Sequence, residues 1–129
     1  MNNDLKAYIG QWLTKAEHDL LNAQTVIVHN PLILDTACFH CQQAVEKYLK
    51  AFLVYNGAEI ARTHNLFFLL GECAKYDNDF LNIEIKELND FGVDIRYPDN
   101  FIMPSAEETN EYFQIAADIK ALVLKKIEL

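Results

Sequence analysis

The sequence predicts an all-α fold, an up-and-down bundle of about five helices. Three observations lead there. Apolar residues return at spacings of three and four along five segments. Strand signals are nearly absent: Asn56-Gly57 is not flanked by alternating runs, so it does not read as a hairpin turn. The chain has 129 residues and is 51% hydrophobic with 4 Gly and 3 Pro, enough to close an apolar core without disulfide or metal staples.

The first helix is expected over residues 4–28. Leu5, Tyr8, Ile9, Trp12, Leu13, Ala16, Leu20, Ala23 and Ile27 mark its apolar face, and Asp4 is a fitting N-cap. The Asn30-Pro31 step ends it, because the residue before proline is pushed out of the α region. A second helix is expected over 33–56, with the seam Cys38, Cys41, Val45, Tyr48, Phe52 and Tyr55. Gly57 stands where a left-handed residue closes a helix. Ala37, Ala44 and Ala51 flank the seam one heptad apart, so a second backbone can approach. With few long helices to cover that surface, a symmetric homodimer is expected.

Thr63 is read as the cap of a shorter third helix through Leu66, Leu69, Leu70 and Cys73. A turn at residues 76–79 leads to a fourth helix through Leu81, Ile85, Leu88, Phe91 and Ile95, which stops near Arg96-Tyr97-Pro98. Ser105 and Glu108 form a capping box for the fifth helix, whose apolar face includes Tyr112, Ile115, Ile119 and Val123. Lys125 and Lys126 suit the negative end of its dipole. One domain over 1–129 accommodates all five.

The net charge is −8, from 19 acidic and 11 basic residues. Nucleic-acid binders that rely on phosphate contacts usually carry a basic stripe, so broad electrostatic capture of DNA or RNA is disfavoured, while a local basic pocket is not. Three cysteines, no signal-peptide pattern and no run of about 20 apolar residues lead to the expectation of a reduced, cytoplasmic chain away from membranes.

Cys38-Phe39-His40-Cys41 has redox-motif spacing but lies inside a helix, so buried structural thiols are the favoured reading. No second ligand pair accompanies it, and neither a metal nor a cofactor is expected. Glu84, Glu87, Asp90 and Asp94 read as a solvated acidic face of the fourth helix. His40, Gln43, Lys47 and Lys50 share the polar side of the second helix. Glu46 precedes Lys50 by four, as in an ordinary surface ion pair; a phosphate-facing patch is the sharper alternative. His64 reads first as a structural residue tying its loop to a neighbouring backbone, and second as a proton carrier awaiting an orienting partner. Arg96 is equally suited to clamp a phosphate and to cap its own helix. Phosphate loops, nucleophile elbows and zinc-protease pairs are absent.

Several stretches together resemble the prokaryotic HEPN domain family. They are Trp12 with Ala16, Asp19-Leu20 and Ala23; the run from Ala37 to Ala51 containing Gln42-Gln43-Ala44-Val45-Glu46-Lys47; Thr63-His64-Asn65-Leu66 with Leu69-Leu70; Arg96-Tyr97-Pro98; and Ser105-Ala106-Glu107-Glu108. The resemblance spans nearly the whole chain. It implies a dimerising helical bundle associated with a minimal nucleotidyltransferase. Many HEPN proteins are metal-independent ribonucleases of toxin–antitoxin or defence modules, marked by an Arg followed a few residues later by a His. Here Arg96 matches the Arg, but Phe101, Ile102 and Met103 occupy the stretch where the His belongs.

The expectation is therefore a nucleotide- or RNA-associated binding module. Arg96 and His64 are its candidate catalytic pair, and Arg96, Tyr97, Lys47, Lys50 and His40 its candidate nucleotide-binding residues. A variant-site ribonuclease and a non-catalytic dimeric adaptor are the alternatives.

Overall fold

The computed structural model describes residues 1–92, 98 and 103–129. The described residues form four α-helices and three 3₁₀ turns: α1 (Asn3–His29), a turn at Pro31–Ile33, α2 (Leu34–Tyr55), α3 (Leu66–Ala74), turns at Asn78–Phe80 and Leu88–Phe91, and α4 (Ala106–Lys126). No strand occurs among them.

α1 is capped slightly earlier than the sequence suggested. Asn2, not Asp4, is the N-cap, its Oδ1 accepting from the Leu5 N–H at 2.7 Å. Asp4 instead places negative charge in the first turn, where the dipole favours it. The helix closes at Asn30, ahead of Pro31, as proline sterics require. α2 ends in a Schellman arrangement around Gly57, whose φ of +81° suits glycine. There the Gly57 N–H donates to the Val54 carbonyl and the Ala58 N–H to that of Leu53.

α1 and α2 run antiparallel and share the most extensive contact; α4 packs across both and α3 leans on α2. The seam forecast for α2 enters the core except at its end: Cys38, Cys41, Val45, Tyr48 and Phe52 are buried with Leu20, Leu66, Leu69, Tyr112, Ile119 and Val123, while Tyr55 is half-buried against the smaller cluster of Ile9, Ala51 and Val54. Each large side chain withdrawn from water there contributes about 1.5–3 kcal/mol. Ala37, Ala44 and Ala51 are fully buried inside the single chain, and Ala51 packs with Ile9 of α1. The alanine flank is thus occupied by the chain's own helices. A dimer would have to use a different surface.

The predicted fourth helix is not an α-helix among the described residues. Its stretch holds Asn82, Asn89 and Asp90, short polar side chains that favour bonds to backbone groups outside a regular helix. Within it Glu84 Oε1 accepts from the Lys86 N–H, and Asn89 Oδ1 is drawn away to accept from the Leu66 N–H at the start of α3. Lys86 takes a φ of +51°, which no α-helix tolerates. The apolar residues still go inside, with one exchange. Ile85, Leu88 and Phe91 are buried, but Phe80 is buried where Leu81 was expected, and Leu81 is exposed.

The helix expected to carry the acidic face is absent among the described residues, while Glu84, Glu87 and Asp90 remain exposed. Glu84 bonds its own turn and Glu87 accepts from the Tyr112 hydroxyl; Asp94 and Ile95 lie outside the described residues. α3 is capped by Asn65 rather than Thr63. The Asn65 side chain accepts from Phe67 and Phe68 N–H, while Thr63 Oγ1 accepts from Asn65 N–H. The Ser105–Glu108 capping box opens α4 as expected, with both reciprocal bonds formed.

Candidate functional site

The polar side of α2 carries two clusters of charge, each built around a carboxylate. In the first, Asp19 of α1 receives His40 Nδ1 at 2.9 Å and the Lys47 ammonium. Burial pushes the Asp19 carboxyl up, but the hydrogen bonds to His40 and Lys47 outweigh it and hold its pKa below the ordinary value. A carboxylate with a depressed folded pKa stabilises the fold above its unfolded pKa, about 4, and loses that contribution as pH falls through the folded value. Asp19→Asn is expected to cost about 1–2 kcal/mol at pH 7 and to flatten the acid limb of the stability–pH curve, as followed by urea unfolding.

The second cluster joins the loop before α3 to α2. Glu46 is buried; Oε2 accepts from the Lys50 ammonium at 3.0 Å and Oε1 bonds His64 Nδ1 at 2.7 Å. The Glu46 and Lys50 side chains are only 5% and 7% exposed, so this is no surface ion pair, contrary to the sequence reading. His64 is 56% exposed. Its Nδ1 is engaged, and its Nε2 makes no hydrogen bond among the described residues. The ring meets a carboxylate side chain rather than the backbone foreseen. The His64 carbonyl accepts from Gln42 Nε2 at 2.9 Å, and Gln43 Nε2 donates to Gln42 Oε1, so the loop is held from two sides. Gly92 lies against this anchor: a Cβ there would stand 2.8 Å from Gln42 Nε2.

Lys50 also sits 5.7 Å from the centroid of the Trp12 ring. The Trp12 Nε1 is sealed from solvent and has no acceptor among the described residues, a defect that costs about 1–3 kcal/mol. Tyr8 meets Trp12 edge to face, with centroids 6.2 Å apart.

Of the candidate residues, His40 and Lys47 come together on Asp19, and His64 and Lys50 on Glu46. Both lysines are neutralised by carboxylates, which tempers a reading of them as free phosphate ligands. Arg96 and Tyr97 lie outside the described residues. Asp19, Gln42 and Glu46 were not singled out as site residues. Their signal was a run of polar residues, Gln42, Gln43 and Glu46, beside an otherwise apolar seam. Gln42, Gln43 and Glu46 are all buried.

An imidazole fixed by a buried carboxylate at Nδ1, with Nε2 left over, is an arrangement suited to moving a proton or bonding an anionic ligand. The cysteines take no part. All three are buried, and burial raises their thiols, Cys38 to about 11 and Cys73 to about 12 and Cys41 further still. Among the described residues no group of three or more His, Cys, Asp or Glu side chains could hold a metal ion. No helix among them is long and apolar enough to cross a membrane.

No curated protein matches the chain. The crystal structure of TT1696 from Thermus thermophilus is similar in fold and sequence, with a TM-score of 0.72 and 26% identity; 92% of this chain and 98% of that chain are covered. The model of the HEPN domain matches residues 9–127, which takes in α2 and both charge clusters. The helical bundle and this match together make the chain a member of the HEPN domain family.

Proposed function

We infer that the chain is a nucleotide- or RNA-associated HEPN module, acting in the cytoplasm with a minimal nucleotidyltransferase in a toxin–antitoxin or defence-like pair. The observation that carries the binding reading is the His64–Glu46–Lys50 cluster. A buried carboxylate orients an exposed imidazole toward ligand in solvent on the lysine-bearing flank of α2. Arg96 supplies the planar donor fork for phosphate in this reading. The nucleotidyltransferase and the homodimer rest on family kinship; the alanine flank does not serve the dimer.

The test is calorimetric titration with mononucleotides and short RNA. His64→Ala and Arg96→Ala are each expected to weaken binding about five- to tenfold with the helical circular-dichroism signal retained. Unchanged affinity in both variants removes the site. A second reading, metal-independent RNA cleavage, is favoured by the same dyad, because an oriented imidazole is what general acid–base catalysis needs. RNA cleavage that persists in chelator and is lost in both variants establishes that second reading in place of the first.

A further inference from the structure

One ridge of α1 carries Tyr8, Gln11, Trp12 and Lys15, and with Lys47 of α2 these five residues line a groove of about 320 Å³. The volume falls within the range of small-molecule sites. Its lining differs from three other grooves among the described residues, each of which includes a carboxylate: Glu17 in one, Glu84 and Asp118 in another, Glu59 and Glu72 in the third. The chain as a whole carries −8, yet this groove is lined by two lysines, two aromatic rings and no carboxylate; Lys47 is compensated from behind by Asp19, and Lys15 is the lining cation left over. Tyr8 is exposed, and Lys15 is exposed with no ion pair among the described residues. Lys50 stands over the Trp12 ring and links the groove, through Glu46, to His64. The indole keeps a buried N–H with no acceptor among the described residues, where a phenyl ring would leave nothing unpaired. That choice of residue points to the ring's π surface as the useful part.

An aromatic platform beside ammonium groups is how proteins hold a nucleobase and its phosphate without reading sequence. We propose that the Tyr8–Trp12–Lys15–Lys47 groove seats a nucleoside phosphate, the base against Tyr8 and the accessible part of the indole and the phosphate at Lys15, with Lys47, held by Asp19, forming the wall of the groove. This rests on the nucleotide-associated reading and gives it a second seat, distinct from His64 itself. The shared chemistry is a purine base carrying a phosphate, whether free or as one residue of a single strand.

Trp12 is the sole tryptophan of the chain, so its fluorescence reports on the groove directly. The intact protein is titrated with AMP and, separately, with a short oligoadenylate. Saturable quenching by at least one is expected, weakening as salt is raised. Lys15→Glu and Tyr8→Ala, both at exposed positions, are each expected to weaken it about tenfold. Equal affinity for the two ligands assigns the groove to free nucleotide, and tighter binding of the oligomer assigns it to a strand. Calorimetric binding that His64→Ala weakens, with Trp12 silent and Lys15→Glu without effect, overturns the groove and leaves the His64 reading standing. Binding by neither ligand in either measurement overturns both.

Discussion

Glu46→Ala is expected to cost about 3–5 kcal/mol, lowering Tm by roughly 10–20 °C. The reason is the charge left behind. Lys50 is as buried as its partner, and Glu46 supplies its only hydrogen bond among the described residues. An ammonium stranded there must stay charged at great desolvation cost, lose its proton, or drag water into the α1–α2 contact. The double variant Glu46→Leu with Lys50→Met tests that account. It removes both charges, keeps the volume and leaves a thioether beside Trp12, so most of the lost stability returns. If the double variant is as unstable as the single one, the loss lies in packing or in the His64 tie. His64→Ala separates that last term: the ring is mostly exposed, and its removal is expected to cost about 1 kcal/mol or less. Stability and ligand binding thus divide across one cluster, Glu46–Lys50 carrying the first and His64 the second.

The long helices were legible because their periodicity coincides with independent punctuation. Pro31 stops α1, Gly57 closes α2, and Ser105 with Glu108 opens α4; each acts through local sterics or hydrogen bonds that need no tertiary information. The stretch after α3 had the period without the punctuation. Spacings of three suit a 3₁₀ turn as well as an α-helix, and the polar residues between them decided the matter. Burial survived the loss of the helix, since Ile85 enters the core from irregular backbone and Leu88 and Phe91 from a 3₁₀ turn.

The candidate site was legible in its residues and not in its pairings. His40, Lys47, Lys50 and His64 were marked, but what neutralises each depends on how α1 and the pre-α3 loop cross α2. Asp19 reaches His40 and Lys47 only because α1 runs antiparallel to α2 in that register. The i,i+4 rule found Glu46 with Lys50, yet it assumes a solvated helix surface and so assigned the pair to the wrong dielectric. A spacing rule gives the partner and is silent on burial, and here burial changes the pair from a minor surface contact to a structural commitment.

The same distinction sets the expected result for the irregular segment. Phe80→Ala is expected to cost about 3–5 kcal/mol, the range for emptying an aromatic site in a core. Phe80 is 2% exposed and packs on Phe52 of α2 at a centroid separation of 4.5 Å. No α-helix holds residues 75–92, so beside the Asn89–Leu66 and Glu87–Tyr112 hydrogen bonds the segment is fixed by buried side chains: Phe80 at one end, Ile85, Leu88 and Phe91 toward the other. The surface clasp of Lys126 on Asp77 and Asp79 spans the same region, but it lies at the solvent boundary, and Lys126→Ala is expected to shift the unfolding midpoint far less than Phe80→Ala. Urea unfolding of the two variants checks the contrast. A Phe80→Ala midpoint shift no larger than that of Lys126→Ala would mean that the surface ion pairs, and not the buried ring, hold the segment to the bundle.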